Sequence, residues 1–440
     1  MTKKPRIVIL GGGFGGAYCA QSLVKQLRHI DVDVVLFDRN NYFVFYPFLI
    51  EAGTGSLAAR HAVISIRSFL RGVEFRMADV TGLDTVKQTI TYQFPQGDGA
   101  ETMDYDHLVI ALGSVTRLPP VPGLRDHGFG LKSLSDAIGL RDRAIRLLER
   151  ADATDDPDLR RALLHIVVVG GNFTGVEAAG EFHVFLRQAS KRYPNLQPND
   201  CRVTLIEIAD RILPGLDDDL SRYAVAKMQG RKIGIQLCES VTSIEKDRVL
   251  LAGGDELPTH TVIWCAGIAP NPMLSAAPLP KDEQGWILCD RALRVKEHDT
   301  VWAIGDCAVN PDRHGNPYPA TAQHATRQAQ HLASNLARVL SGLEPKPFDY
   351  DSKGSLVGLG CRTGVAKVFG VKLSGFAAWF LWRTVYLLKL PGWARRIRVA
   401  LDWTMDLLFA RDYVQLGVMR HDTTVGEVSP KNASHKPRSS

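Results

Sequence analysis

Two stretches of the chain repeat one pattern of apolar, small and amphipathic positions. Ile7–Leu10 is a short apolar run that ends in GGGFGG and passes into AYCAQSLVKQL, where apolar residues recur at helical spacing. His165–Val169 (HIVVV) runs into GGNFTG and then VEAAGEFHVFLRQ. Each stretch predicts a strand, a tight glycine turn and a helix, so the chain reads as an α/β protein with two related nucleotide-binding halves. Val32–Phe37 and Val203–Ile206 supply the second strand of each half.

Between and after these units the pattern changes. Val115–Gly123 and Pro270–Pro280 are Pro-rich and read as the connections into and out of the second half. Ser133–Arg150 opens on Ser and then carries apolar residues at helical spacing, a helix with its cap. Ala153–Asp158 reads as a polar loop, and Tyr318–Leu340 as a long helix after a loop. Near the end, Phe376–Leu390 (FAAWFLWRTVYLLKL) holds twelve apolar residues in fifteen. Pro391 and Gly392 break that helix, and Trp393–Ala410 resumes with apolar residues every three or four. Residues from about 430 read as a disordered tail.

Composition sharpens this picture at two points. The chain has 440 residues and a net charge of +6. Residues 1–370 carry 42 Lys and Arg against 42 Asp and Glu, whereas residues 371–440 carry 11 against 5. The excess is therefore local to the Trp-rich end, and it gives no argument for a nucleic-acid partner. The seven cysteines are scattered with no CxxC pair, which fits reduced thiols and neither a disulfide framework nor a zinc site; no metal is expected. The basic start has too short an apolar run for a secretory signal. No uncharged apolar stretch reaches the length of a spanning helix.

The glycines carry the candidate chemistry. Gly11, Gly13 and Gly16 satisfy GxGxxG between a strand and a helix, where backbone N–H groups and the helix N-terminus face a pyrophosphate. Asp38 ends the second strand, placed to accept hydrogen bonds from a ribose hydroxyl. In the second unit Gly170, Asn172 and Gly175 hold the same positions, with Asn in place of the middle Gly. That unit is a dinucleotide site or a degenerate structural repeat. Glu207 ends its second strand; a carboxylate there accepts a free 2′-hydroxyl and repels a 2′-phosphate, favouring NADH over NADPH.

With these motifs in hand the chain resembles the flavoproteins with two dinucleotide-binding domains, and within them the type II, non-proton-pumping NADH:quinone oxidoreductases. Residues 5–420 carry the resemblance: the first glycine loop, NYFVFYPFLIEAGTGSL, YDHLVIALGS, LKSLSDAIGLRDRAIRLLERAD, VVVGGNFTGVEAAGE, VIWCAGI, VWAIGDCA and PATAQHATRQAQ. It implies bound FAD on Gly11, Gly12, Gly13, Phe14, Gly15, Gly16, Asp38, Arg39, Val80, Ala111, Gly113, Gly305 and Asp306. It implies NADH on Gly170, Gly171, Asn172, Thr174, Gly175, Glu207, Ala266 and Gly267. The implied domains are 1–118 and 280–350 for FAD, 119–279 for NADH, and 351–440 for a membrane-associating region.

The resemblance also implies an acceptor end. Tyr46, Pro47, Gln323 and Arg327 would face a quinone, with Arg327 standing where the family usually has Gln. Glu177, Gln323 and Lys353 would be catalytic, Glu177 in positioning or proton supply. On the residues alone, Glu177 is equally a helix-start carboxylate, Lys353 a solvated loop Lys and Gln323 a helix-surface residue. Cysteine separates neighbouring families: the paired CxxxxC of disulfide reductases and the redox Cys of sulfide:quinone oxidoreductases are both missing, since none lies between Cys19 and Cys201.

The tail reads as an amphipathic anchor lying on an anionic membrane surface, or as a helical hairpin packed on the body or at a dimer seam. The expectation is thus an α/β flavoenzyme with two Rossmann-like domains and a C-terminal amphipathic helical region. It would pass electrons from NADH through FAD to a membrane quinone, peripherally on the cytoplasmic face of the inner membrane, as a homodimer. The alternatives are a soluble FAD-dependent NADH oxidoreductase with another acceptor and a flavin-based redox sensor.

Overall fold

The structure is a computed structural model that describes residues 4–97, 99–409 and 411–417. The tail expected to be disordered from about 430 lies outside them. Arg6–Leu10 is the middle strand of a parallel five-stranded sheet, ordered Val301–Ala303, His107–Ile110, Arg6–Leu10, Asp33–Asp38, Glu74–Met77. His165–Val169 is the middle strand of a second parallel sheet, ordered Gly128–Phe129, Thr261–Trp264, His165–Val169, Arg202–Ile206, Gly234–Gln236. Continuous apolar runs suit strands covered on both faces, and Ile7–Leu10 and His165–Val169 are all buried. The first sheet takes its edge strand from Val301–Ala303, so the chain leaves it, builds the second sheet, and returns. The two crossings lie side by side, Ser114–Thr116 antiparallel to Ile268–Pro270.

Each glycine turn feeds its helix, Phe14–Gln26 and Phe173–Ala189. The first packs with helix Ala322–Leu340 over its sheet. Ser133 caps helix Leu134–Asp152 through a capping box with Asp136. Two boundaries differ from the sequence reading. The loop expected over Ala153–Asp158 ends at Asp156, because Asp156 caps a short helix that starts on Pro157. The helix expected from Tyr318 starts at Ala322, because Thr321 in extended backbone is its cap and Pro319 lies upstream.

The C-terminal region holds more than helices. A three-stranded antiparallel sheet, Gly354–Gly358, Gly364–Val368 and Val371–Ser374, precedes helices Gly375–Lys389 and Trp393–Leu408. It is fastened to the second domain: Lys367 and Lys372 pair with Asp217 at 2.7 Å each, and Arg231 donates to the carbonyls of Leu359 and Gly360. Beyond the helices, residues 411–417 lie along helix Leu134–Asp152. Arg141 Nη2 donates to the Asp412 carbonyl, and Asp142 accepts from the N–H groups of Leu416 and Gly417. No helix among the described residues is long and apolar enough to cross a membrane.

Candidate functional site

The two glycine turns share one backbone frame. Gly11 and Gly170 have φ of +97° and +108°, the left-handed side that glycine adopts without steric cost. A β-carbon on Gly16 would stand 1.8 Å from the Gly11 carbonyl oxygen, and one on Gly175 the same distance from that of Gly170. Only glycine lets each helix start so close to its strand. The acids fit the same plan. Asp38 accepts from the N–H groups of Gly12 (2.6 Å) and Asn40 (2.7 Å), and Glu207 accepts from those of Gly171 and Ala209. Burial pushes the Asp38 carboxyl up.

The first cradle has room for a pyrophosphate. A β-carbon on Gly13 or Gly113 would meet nothing within 4 Å, whereas Gly15 packs against Ala111 and Ile304. Phe14 joins a cluster with Tyr18, Phe43, Phe45 and Tyr46. Arg39 lies near the Asp38 carboxylate on the strand end, and half-buried Val80 packs beside the far side of the sheet. On the returning strand the Gly305 N–H donates to Gln328 Oε1 (2.8 Å). Asp306 accepts from Ser114 Oγ, which accepts in turn from Lys132 Nζ (2.7 Å). Burial raises the Asp306 carboxyl against the Lys132 charge. This open groove of glycines, with an acid at each end, fits FAD.

In the second cradle Asn172 is the cap of its helix. Its Oδ1 accepts from the Gly175 N–H (3.0 Å), and its Nδ2 donates to the Cys265 carbonyl (2.7 Å). The departure from Gly is therefore bonded back into the protein and braces the turn that follows Trp264. That turn holds Ala266 and Gly267: Trp264 Nε1 donates to the carbonyls of Ala266 and Arg117, and the Gly267 carbonyl accepts from the Arg117 N–H. Thr174 is exposed at the helix start. The donor set fits NADH.

Glu177, two residues past Gly175, meets the C-terminal region. Its Oε1 accepts from the Gly358 N–H (3.0 Å) and from Trp382 Nε1 (3.1 Å). Burial pushes its carboxyl up to about 8, so it carries a proton at neutral pH. The other expected residues are spread more widely. Tyr46 and Pro47 form a 3₁₀ turn, with the Tyr46 ring 6.4 Å from that of Phe14 on the first cradle. Gln323 donates to Ser352 Oγ (3.0 Å), and Arg327 lies over the Tyr350 ring. Lys353 is on an exposed turn.

Sequence reasoning missed Lys132 and Trp382 as contributors; Gln328 was noted as a match to the family's segment, but its bond to Gly305 was not foreseen. Gln328 and Lys132 stood inside quoted motifs, but nothing in the pattern marked their partners. Trp382 was read as part of an apolar stripe. All seven cysteines are free, and burial pushes the thiols of Cys19, Cys265, Cys289 and Cys307 up.

The family described as pyridine nucleotide-disulphide oxidoreductase matches residues 5–329, and the NDH2 C-terminal domain matches residues 352–412. The chain belongs to the type II NADH dehydrogenases of that family. It is 33% identical to the demethylphylloquinone reductase of Synechocystis, over 91% of this chain and 96% of that one. It is 30% identical to a type II NADH:quinone oxidoreductase of Mycobacterium tuberculosis, over 93% and 89%. Its fold matches the NDH2 structure from Plasmodium falciparum in complex with NADH with a TM-score of 0.87 at 21% identity, covering 94% of this chain and all of that one. The family's C-terminal domain is thus the part that holds the Glu177 carboxyl here.

Proposed function

We propose that the chain is an FAD-dependent NADH:quinone oxidoreductase that moves two electrons without pumping protons. The observation that carries this reading is the Glu177 carboxyl, which stands in the second turn of the NADH-loop helix and is held by Trp382 of the apolar C-terminal helix. Donor loop and acceptor region meet at one group. Bound FAD supplies a ring that takes a hydride from NADH and releases two electrons to the acceptor. The chain's own residues do the rest. Gly11, Gly13 and Gly16 cradle the FAD pyrophosphate, and Asp38 takes a ribose hydroxyl. Glu207 selects NADH, Gly267 lets the nicotinamide end approach, and Glu177 holds a proton beside the reacting rings. Tyr46, Pro47, Gln323, Arg327 and Lys353 belong to the acceptor side in this reading, and residues 1–118 with 280–350 form the FAD domain around the NADH domain 119–279.

The acceptor is a quinone dissolved in a membrane, and residues 351–440 bring the chain to it. Trp382, Val399 and Trp403 are buried against the body, whereas Phe376, Phe380, Leu388, Trp393, Ile397, Leu401 and Met405 are exposed on the other side of the same helices. With exposed Arg398 among them and half-buried Arg395 beside it, this face suits the interface of an anionic bilayer. We place the enzyme peripherally on the cytoplasmic face, as a homodimer.

The test is spectroscopic. The purified protein is yellow, bleaches with NADH under nitrogen, and regains its colour when a short-chain quinone is added. Recovery with oxygen or a dye but not with quinone overturns the acceptor; failure to bleach leaves a sensor. For the membrane face, Phe380→Ser with Leu401→Ser releases the protein from anionic vesicles while bleaching by NADH persists. Vesicle binding that survives both changes refutes the anchor.

A further inference from the structure

A chamber lies along the helix that carries Glu177, and no residue of either glycine cradle lines it. Its volume is about 460 Å³, and Glu51, Glu181, Gln188, Trp379, Arg383 and Arg411 are among the residues that line it. Lys191 and Arg192 are also on its wall. A chamber of that size lined by charge holds water, which an apolar cavity would exclude. Glu181 lies four residues past Glu177, on the same face of helix Phe173–Ala189 and about 6 Å further along its axis. One helix face therefore runs from the chamber to the acid beside the reaction.

We propose that this chamber is the enzyme's proton inlet and that Glu181 passes the proton from its water to Glu177. The idea rests on the proposed function. In NADH + H⁺ + quinone → NAD⁺ + quinol, the C–H bond of NADH breaks with its electron pair and its hydrogen accounts for one of the two new O–H bonds. The other proton comes from solution. Glu177 gives its carboxyl proton to the quinone oxygen and regains one from Glu181, which regains its own from chamber water.

The surroundings suit Glu181 to that task. Four charges face it from four other segments: Glu51 on helix Leu49–Thr54, Arg383 on helix Gly375–Lys389, Asp406 on helix Trp393–Leu408, and Arg411 in the segment that follows. Each cation already serves another acid. Arg383 pairs with Glu51 at 3.4 Å, and Arg411 Nη2 donates to Asp406 at 3.0 Å. Trp403 Nε1 donates to the remaining oxygen of Glu51 (2.8 Å). Among the described residues, Glu181 itself is fixed by no hydrogen bond. Burial lifts its carboxyl to about 7, between the bulk solution and Glu177, so it can both take up and release a proton near neutrality.

The experiment is stopped-flow on the full-length flavoenzyme, reduced by NADH and mixed with a short-chain benzoquinone in H₂O and in D₂O from pH 6 to 9. Glu181→Gln is expected to leave bleaching by NADH unchanged and to slow recovery of colour by about tenfold or more. The solvent isotope effect should rise, azide should restore the rate, and Glu181→Asp should keep most of it. Val184→Phe, which fills the chamber wall but keeps both carboxyls, should reproduce the slowing and keeps the test decisive if Glu181→Gln loses its flavin. Parental rates and isotope effects in Glu181→Gln and Val184→Phe overturn the inlet. So does a slowing that neither D₂O nor azide changes. If the parent recovers its colour with quinone, those results fall on the inlet alone; if it does not, the proposed function fails first.

Discussion

Set side by side, the two glycine turns show how one backbone frame serves two kinds of binding. Gly11 and Gly170, Gly12 and Gly171, Phe14 and Phe173, and Gly16 and Gly175 occupy matching places, and each frame closes on a strand-end acid. The contents differ where a ligand would meet the protein. Gly13 opens onto free space, whereas Asn172 fills that place and bonds to the Cys265 carbonyl. Two residues past the last glycine, the first helix has Tyr18, stacked among Phe14, Phe43 and Phe69. The second has Glu177, held by Trp382. The first cradle is walled with aromatic rings around a groove left empty of side chains, as a permanently bound group requires. The second is braced by its own side chain and set beside an ionisable group, as a passing substrate and a moving proton require.

The largest way to break this comparison is to exchange the middle residues. Gly13 has φ of −72°, which Asn adopts freely. Gly13→Asn should therefore fold, yet lose FAD by about a hundredfold or more, because the side chain enters the pyrophosphate path. A yellow Gly13→Asn protein with parental flavin content would erase the distinction. Next in size, Glu207→Gln keeps an acceptor for the Gly171 N–H but removes the charge. The preference for NADH over NADPH should fall about tenfold, measured as the ratio of kcat/KM values. Asn172→Ala removes both the cap bond and the tie to Cys265. It should cost about 1 kcal/mol in urea unfolding and raise KM for NADH, while the flavin stays bound.

The smallest effect concerns the pH dependence of stability. Because burial raises the Glu177 carboxyl above its unfolded value, the stability of this group is fully present below about pH 4.5 and is lost as pH climbs through about 8. Glu177→Gln keeps an acceptor for Gly358 and Trp382 and does not ionise. Its Tm should match the parent at pH 5 and exceed it by about 2 °C at pH 8.5. A lower Tm at pH 8.5 would mean that Glu177 is ionised in the native state.

Most of the frame was legible in the sequence because it rests on local rules. The strand His165–Val169, the Ser133 cap and the glycine spacing follow from neighbours a few residues apart, and the structure has them where the pattern puts them. What escaped depends on contacts between distant residues. The sheet Gly354–Ser374 is built from strands of four and five residues interrupted by glycines, too short for alternation to declare itself. The tail tryptophans were legible as a group but not in their division. Trp382 and Trp403 turn inward to carboxylates while Trp393 stays out, and a helical stripe does not say which of its indoles has a partner 205 or 352 residues away. Asn172 stood out only as a departure from the middle Gly because its cap bond was not weighed; an Asn three residues before a helix's first tight glycine is itself a capping signal.

The inward tryptophans also set a timetable. Glu51 and Glu177 belong to the first half of the chain, yet each is bonded only when residues near the other end arrive. During synthesis the ribosome needs roughly 10–40 s to travel from Glu177 to Trp382, at about 5–20 residues per second. Through that interval both nucleotide folds can assemble, but Glu51 and Glu177 are left without indole donors and the Val301–Ala303 edge is added late. A nascent or C-terminally clipped chain would thus be a well-folded pair of domains with an unfinished centre. Quality control acting on this protein has its most informative signal in the last seventh of the sequence.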